Sequence, residues 1–311
     1  MPVPILPADD HDALARATNT LREGGLVAVP TETVYGLAAD ATNPDAVARI
    51  YAAKGRPAFN PLIAHVSGAR MAGRYGVLDE AASALIQAFW PGPLTLVLPV
   101  RSNAAPALAA AVTAGLPTVA LRHAPGVMAD LASHLDRPLA APSANLSGRL
   151  SPTTAAHVEA QLGGRVDLVM DGGACGVGVE STIVRTGARP TLLREGGLER
   201  SDIETIVGPL AAPDGAIEAP GMLASHYAPN AQLRLDATDA RSGEALLGFG
   251  AIAGDVSLSP RGDLAEAAHR LYASLAQLDE THGAIAVAPI PRDGIGAAIN
   301  DRLRRAAARR N

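Results

Sequence analysis

The sequence predicts an α/β fold: a large domain built on a mixed sheet, followed by a smaller α/β domain. Three observations predict it. Short apolar strand runs alternate with amphipathic helical patterns through residues 1–207. A Pro- and Gly-interrupted stretch at 208–229 breaks that rhythm with the composition of a linker. A shorter version of the same alternation then returns over 230–311. A chain of 311 residues is long enough for two domains, and 48% apolar content suffices for a full core. Only nine residues are aromatic, so Ala, Val, Leu and Ile must build that core.

The elements follow in order. Leu26–Val29 is a short buried strand that stops at Pro30. Asn43-Pro44-Asp45 opens a helix, with Asn43 as N-cap, Pro44 at the first position and Asp45 in the first turn. Val47, Ile50 and Tyr51 form its buried stripe, Lys54 lies in its last turn and Gly55 ends it. Further strand runs are Leu62–Val66, Leu94–Leu98, Thr118–Arg122, Leu139–Ala141, Leu168–Met170, Thr182–Arg185 and Leu192–Arg194. Helical patterns lie near Glu80–Phe89, Val127–Leu135 and Thr153–Leu162. In the second domain Leu246–Phe249 and Ala284–Val287 are strands. Asp263-x-x-Glu266 opens a helix with Leu264, Leu271, Leu275 and Leu278 on one face, and Ala297–Ala308 is an Arg-rich terminal helix.

Composition excludes several functions. The formal charge of −5 gives no global basic field to draw nucleic acid. The one cysteine, Cys175, excludes a disulfide framework and any CxxC zinc site, and fits a reducing compartment. The start MPVPILPADD has no basic n-region, and no apolar run reaches the roughly 20 residues that span a bilayer, so a cytoplasmic, non-membrane protein is expected. There is no HExxH, no GxSxG and no Cys/His cluster.

Four segments carry polar groups at strand ends. Pro30-Thr31-Glu32-Thr33-Val34-Tyr35-Gly36-Leu37 is either an ordinary turn or a ligand-facing loop. Lys54-Gly55-Arg56-Pro57-Ala58-Phe59-Asn60-Pro61-Leu62 places two cations at a helix exit, where they complement the helix C-terminus or a ligand. Lys54 is the only lysine beside 25 arginines, which hints at a need for a compact charge on a phosphate. His65 follows in a strand. Ala141-Pro142-Ser143-Ala144-Asn145-Leu146-Ser147-Gly148 runs on to Ser151-Pro152-Thr153, offering hydroxyls and helix N–H groups to an anion, or merely a turn and a cap. Asp171 to Thr182 is Gly-rich, as where backbone approaches a ligand, but is neither a Walker loop nor a dinucleotide fingerprint. Arg194-Glu195-Gly196-Gly197 comes next. A set of Thr, Ser, Asn, Arg and one Lys binds phosphates and zwitterions without attacking them.

Taken together, the ordered motifs PTETVYGL, KGRPxxNPL with His65, PGPLTLVL at 91–98, SANxSGxxSPT and GVEST resemble the YrdC family in its two-domain form. The likeness covers roughly 20–207. It extends through Pro220-Gly221-Met222, His226-Tyr227-Ala228-Pro229, GDLAEAAHRLYASLAQLD and GIGAAINDRLRRAA. The resemblance implies a strongly twisted open sheet of the YrdC-like type with a large, positively lined cavity. It implies condensation of L-threonine, bicarbonate or CO2, and ATP to threonylcarbamoyl-AMP. That product would pass to the tRNA threonylcarbamoyl transferase machinery for modification of the adenosine next to the anticodon. By the same likeness Arg56, Asn60, Thr118, Ser143, Asn145, Ser151 and Arg194 match ATP contacts, with Lys54 beside the phosphates and Mg2+ carried by them. Thr33, His65, Arg122, Ser181 and the backbone of Ala141 match the threonine site, and His226 and Tyr227 reach back over the nucleotide. After Arg122 the chain has His-Ala-Pro-Gly where relatives commonly read more like Met-Pro-x-His. Two other readings compete. A YrdC-like module could hold double-stranded RNA without catalysis, which the net charge disfavours, though weak RNA binding stays open. The carbamoyl-transfer branch carries Cys-rich zinc motifs that this chain lacks.

Overall fold

In the computed structural model, which describes residues 2–215, 218–222 and 226–308, the chain forms two α/β domains with one sheet each. Positions 216, 217 and 223–225 of the expected linker lie outside the described residues. The strands of the large domain are β1 (Ile5–Pro7), β2 (Val27–Val29), β3 (Gly36–Asp40), β4 (Ile63–His65), β5 (Leu94–Pro99), β6 (Thr118–Arg122), β7 (Leu139–Ala140), β8 (Leu168–Asp171), β9 (Thr182–Arg185) and β10 (Thr191–Arg194). Its helices are α1 (His11–Arg22), α2 (Pro44–Lys54), α3 (Ala69–Tyr75), α4 (Glu80–Phe89), α5 (Ala110–Thr113), α6 (Val127–Leu135), α7 (Ala155–Leu162) and α8 (Arg200–Val207). The small domain has β11 (Gln232–Arg234), β12 (Ala245–Gly248), β13 (Val256–Ser257), α9 (Leu264–Asp279), β14 (Ala284–Val287) and α10 (Gly296–Ala307).

The large sheet runs β1-β8-β2-β3-β7-β4-β6-β5-β9-β10 and is mixed. Some neighbouring strands pair parallel (β4 with β6, β5 with β9) and others antiparallel (β3 with β7, β5 with β6). The register sets His65 beside Arg122 across the β4–β6 pair, and Arg122 opposite Thr95 across β5–β6. Three polar side chains are thereby brought together by strand pairing alone. The small sheet, β11-β14-β12-β13, is wholly parallel.

Local chemistry accounts for the elements that aim at the site. Asn43 caps α2 by accepting from the backbone N–H of Asp45 and Ala46, and Gly55 ends it in the left-handed region at φ 60°. Asp263 caps α9 through the N–H of Glu266. Helix α7 starts at Ala155, two residues later than expected, with Thr154 as the cap that accepts from His157 N–H. Strands β1, β3, β11 and β13 and helices α1, α3, α5 and α8 add to the expected set. Of these β3 matters most, because it begins inside the segment read as a loop.

Two apolar clusters form the main cores. The larger is built on the ten-stranded sheet. The second belongs to the small domain but also takes in Val34, Leu150 and Val179 of the large domain and Tyr227 of the linker. The domains are therefore welded along a shared apolar seam that runs beside the polar motifs.

Candidate functional site

Nine of the fifteen residues implicated by the sequence line one cavity: Arg56, His65, Arg122, Ala141, Ser143, Ser181, Arg194, His226 and Tyr227. The space between its walls is about 520 Å³, open solvent included. The large cavity that the resemblance implies is closed over. Linker residues Pro220, Gly221, His226 and Tyr227 form the cover.

Arg122 ends β6 and is held from three sides. Its Nε donates to Gly92 O at 3.3 Å, its Nη1 donates to Thr33 Oγ1 at 2.9 Å, and its Nη2 lies 2.7 Å from Glu32 Oε1. The last approach is close enough for an ion pair but lacks hydrogen-bond alignment. Thr33 is itself held by Thr31, whose hydroxyl lies 2.9 Å away and donates to Val34 O. Arg194 ends β10 and donates to Ser181 O at 3.2 and 2.8 Å, to Ser181 Oγ at 3.2 Å and to Pro220 O at 3.2 Å. It therefore ties the GVEST segment to the cover. Ser181 Oγ also meets Thr95 Oγ1 at 2.7 Å. Arg56 donates to Asn60 O and Pro61 O, at 3.2 and 2.7 Å.

Buried polar atoms without a hydrogen-bond partner gather here. Among the described residues ten side-chain atoms are in that state, and seven belong to Glu32, Asn60, His65, Arg122 and His226. Each such group costs about 1–3 kcal/mol when left unpaired. Two of the seven, Arg122 Nη2 and Glu32 Oε1, meet each other in the ion pair described above, and the other five lie on Glu32, Asn60, His65 and His226. Both histidines are neutral at neutral pH. Burial, with Arg122 beside it, holds His65 well below the usual histidine range, and burial likewise takes His226 down to about 3. Burial pushes the Cys175 thiol up to about 12, so it is no nucleophile.

The other six candidates sit elsewhere. Thr33 touches the cavity through Arg122. Lys54 is buried, and its Nζ donates to Ser143 O and Asn145 O, both at 2.5 Å, and lies 3.4 Å from Asn145 Oδ1. Its amino group pins the SAN turn to the end of α2. Burial, and then Arg56, pulls its pKa well down. Asn145 donates to Leu146 O and Arg149 O, and so braces the same turn. Ser151 donates to Glu180 Oε1 at 2.5 Å. Thr118 starts β6, about 13 Å along the strand from Arg122. Asn60 is buried beneath Arg56, with its amide unpaired.

Sequence reasoning missed Glu180, Tyr272 and Arg302. Glu180 lines the cavity and is buried. It accepts from Arg302 Nε at 2.7 Å, from Tyr272 Oη at 3.0 Å to each oxygen, and from Ser151. Burial alone would raise its carboxyl, but Arg302, Arg194 and the Ser151 hydroxyl hold it down to about 2. No local signal finds these partners, because Tyr272 and Arg302 lie 92 and 122 residues away. The Gly-rich loop also does different work from that expected. A Cβ on Gly178 would come within 2.4 Å of Ala268 O in α9, so backbone approaches the second domain there, not a ligand.

The fold and cavity define a two-domain α/β protein whose site is lined by arginines and neutral histidines and covered by residues of its own linker. The comparisons agree. Residues 19–196 match the Sua5/YciO/YrdC family, described as telomere recombination, and residues 198–308 match the family described as threonylcarbamoyl-AMP synthase, C-terminal domain. The chain belongs to the Sua5/YrdC family. It is 40% identical to the threonylcarbamoyl-AMP synthase of Bacillus subtilis, over 94% of this chain and 92% of that one. It is 38% identical to that of Pyrococcus abyssi, over 93% and 92%. A crystal structure of P. abyssi Sua5 complexed with L-threonine superposes with a TM-score of 0.90 at 35% identity, covering 98% of this chain and 97% of that one. The second family match begins at 198, so it takes in α8 and the linker as well as the small domain.

Two expectations follow. Replacing Lys54 by Met removes the donor from Ser143 O and Asn145 O. It should therefore cost about 1–3 kcal/mol of stability in ligand-free protein, seen as a lower melting temperature. A lysine that served only phosphates would leave the ligand-free melt unchanged. The second concerns acid. His226 titrates near 6.5 when unfolded and near 3 when folded. Its contribution is complete above 6.5 and is lost as pH falls toward 3, because the unfolded chain takes up the proton first. Melting temperature should drop across that window, and His226→Gln should flatten the drop; an unchanged slope would contradict the assignment.

Proposed function

We propose that this chain condenses L-threonine, bicarbonate or CO2, and ATP to threonylcarbamoyl-AMP and pyrophosphate, as an ATP-dependent nucleotidyltransferase of the cytoplasm. Its product then serves threonylcarbamoyl modification of tRNA. The observation that carries this reading is the convergence of Arg56, Arg122 and Arg194 with two neutral histidines on one cavity. The names of relatives matching almost the whole chain support it. No helix among the described residues is long and apolar enough to cross a membrane.

The residue types suit the chemistry. The amine of threonine captures CO2 to form a carbamate, a carbamate oxygen attacks the α-phosphate, and pyrophosphate leaves. Substrate supplies the nucleophile, so no protein Ser or Cys needs activation, in keeping with the buried, un-ionised Cys175. What remains for the protein is positioning and charge stabilisation. Arg122 is the partner for the amino-acid carboxylate, since a guanidinium fork matches it bidentately. Its neighbour Glu32 must then yield that edge. His65, neutral and with Nδ1 unpaired, offers a hydrogen bond without adding charge. Arg56 and Arg194 face the phosphates. Magnesium would enter with the nucleotide, carried by its phosphate oxygens. The cover must lift to admit a nucleotide, since linker residues close over the cavity. Once shut, it shields a carbamate that water would destroy.

Pyrophosphate release should require threonine and bicarbonate together. Serine should be poorer, by about 1–3 kcal/mol for one methyl. Equal turnover with glycine, or turnover without an amino acid, would defeat the reading.

A further inference from the structure

Arg302 of α10 is 1% exposed and touches three parts of the molecule. Its Nε donates to Glu180 Oε2 at 2.7 Å, and its Nη2 donates to Glu195 O at 2.9 Å, both in the large domain. Its guanidinium carbon stands 4.9 Å over the ring of Tyr227 in the linker. Its Nη1 donates to Asp301 in its own helix. One turn further along α10, Arg305 O accepts from the backbone N–H of His226. The two linker residues that cover the cavity are thus seated on the last helix of the second domain. Tyr227 holds φ 61°, a left-handed conformation that a bulky side chain adopts only where its surroundings enforce it.

A second consequence concerns charge. Glu180 and Arg194 both line the cavity, and Arg194 is bonded to Ser181, the residue next to Glu180. A buried carboxylate must have a cation. With Arg302 absent, Arg194 is the cavity arginine already held beside Glu180's own segment. Drawing Arg194 onto Glu180 would take it from Ser181 and from Pro220 of the cover, and would cancel its charge toward an anionic ligand.

We propose that Arg302 is a positioning residue for the reaction: by neutralising Glu180 from behind, it leaves Arg194 free to serve the anion, and by stacking on Tyr227 it seats the cover. This assigns a role to the second domain, which supplies the counter-ion that the first domain's site lacks. It rests on the reading that the cavity takes a triphosphate.

The test is Mg·ATP affinity by calorimetry on full-length protein, for wild type, Arg302→Met, Glu180→Gln and the double variant, each with a thermal melt. Arg302→Met should bind at least about tenfold more weakly, because it leaves Glu180 unmatched. Adding Glu180→Gln should restore affinity to within about threefold of Glu180→Gln alone, since nothing then competes for Arg194. A purely structural Arg302 would lower the melting temperature of the single variant but leave Mg·ATP binding by its folded fraction unchanged. Should Arg302→Met fail to fold, the double variant decides, because removing a buried pair altogether is tolerated far better than halving it. ATP binding like that of Glu180→Gln supports the proposal. A folded Arg302→Met that binds as wild type does, or a double variant that binds far more weakly than Glu180→Gln, overturns it. Failure of the wild type to bind Mg·ATP would instead sink the functional reading beneath it.

Discussion

A carboxylate removed from water must be matched at short range, and the match for Glu180 comes from the other end of the chain. The Glu180–Arg302 pair is buried on both sides and joins the GVEST segment to α10. Removing one partner of such a pair costs about 3–5 kcal/mol, because the other stays buried and unpaired. The shared apolar seam has the same effect without charge: Val34, Leu150, Val179 and Tyr227 lie in the small domain's core. Neither domain presents a complete surface at this junction. Of the linker, which composition alone marks as a tether, His226 and Tyr227 are packed between two walls.

Around that junction the charges are arranged for an anion. Arg56, Arg122 and Arg194 face the cavity, and the carboxylate in its wall, Glu180, is spent on Arg302, Tyr272 and Ser151. The histidines stay neutral, so they supply directional hydrogen bonds without further charge. Most of the arginine fingers are fixed by backbone carbonyls before any ligand arrives: Gly92 O for Arg122, Asn60 O and Pro61 O for Arg56, and Ser181 O for Arg194. Such preorganisation lets a site stabilise developing charge without reorganising at the moment of reaction. Gly221 shows how tightly the cover fits, since a Cβ there would lie 2.5 Å from the Tyr227 hydroxyl and 2.9 Å from Arg194 Cδ.

Features written in local chemistry were legible in the sequence. Asn43, Gly55 and Asp263 cap the helices they were expected to cap, and the strand carrying Arg122 has the bounds its pattern implied. The ordered motifs located most of the cavity wall. What stayed hidden depends on contacts distant in sequence. Strand β3 begins within a motif that looks like a turn, because a strand buried along its whole length has no polar alternation to betray it. Lys54 stood out by composition, yet whether its ammonium meets a phosphate or the carbonyls of residues 143 and 145 is settled by how α2 packs on the SAN turn. Arg302 was one arginine among many in a terminal helix until the fold set it against Glu180. A Gly-rich stretch, likewise, signals close approach but not to what, and here Gly178 meets α9.

The central claim is that these walls assemble one product from three small molecules. Purified protein incubated with ATP, L-threonine and 13C-labelled bicarbonate, then examined by mass spectrometry, tests it most directly. The account predicts a species with the mass of threonylcarbamoyl-AMP, heavier by one 13C and absent when any one substrate is withheld. Hydrolysis of ATP without a labelled adduct, or an adduct that forms without bicarbonate, would contradict it.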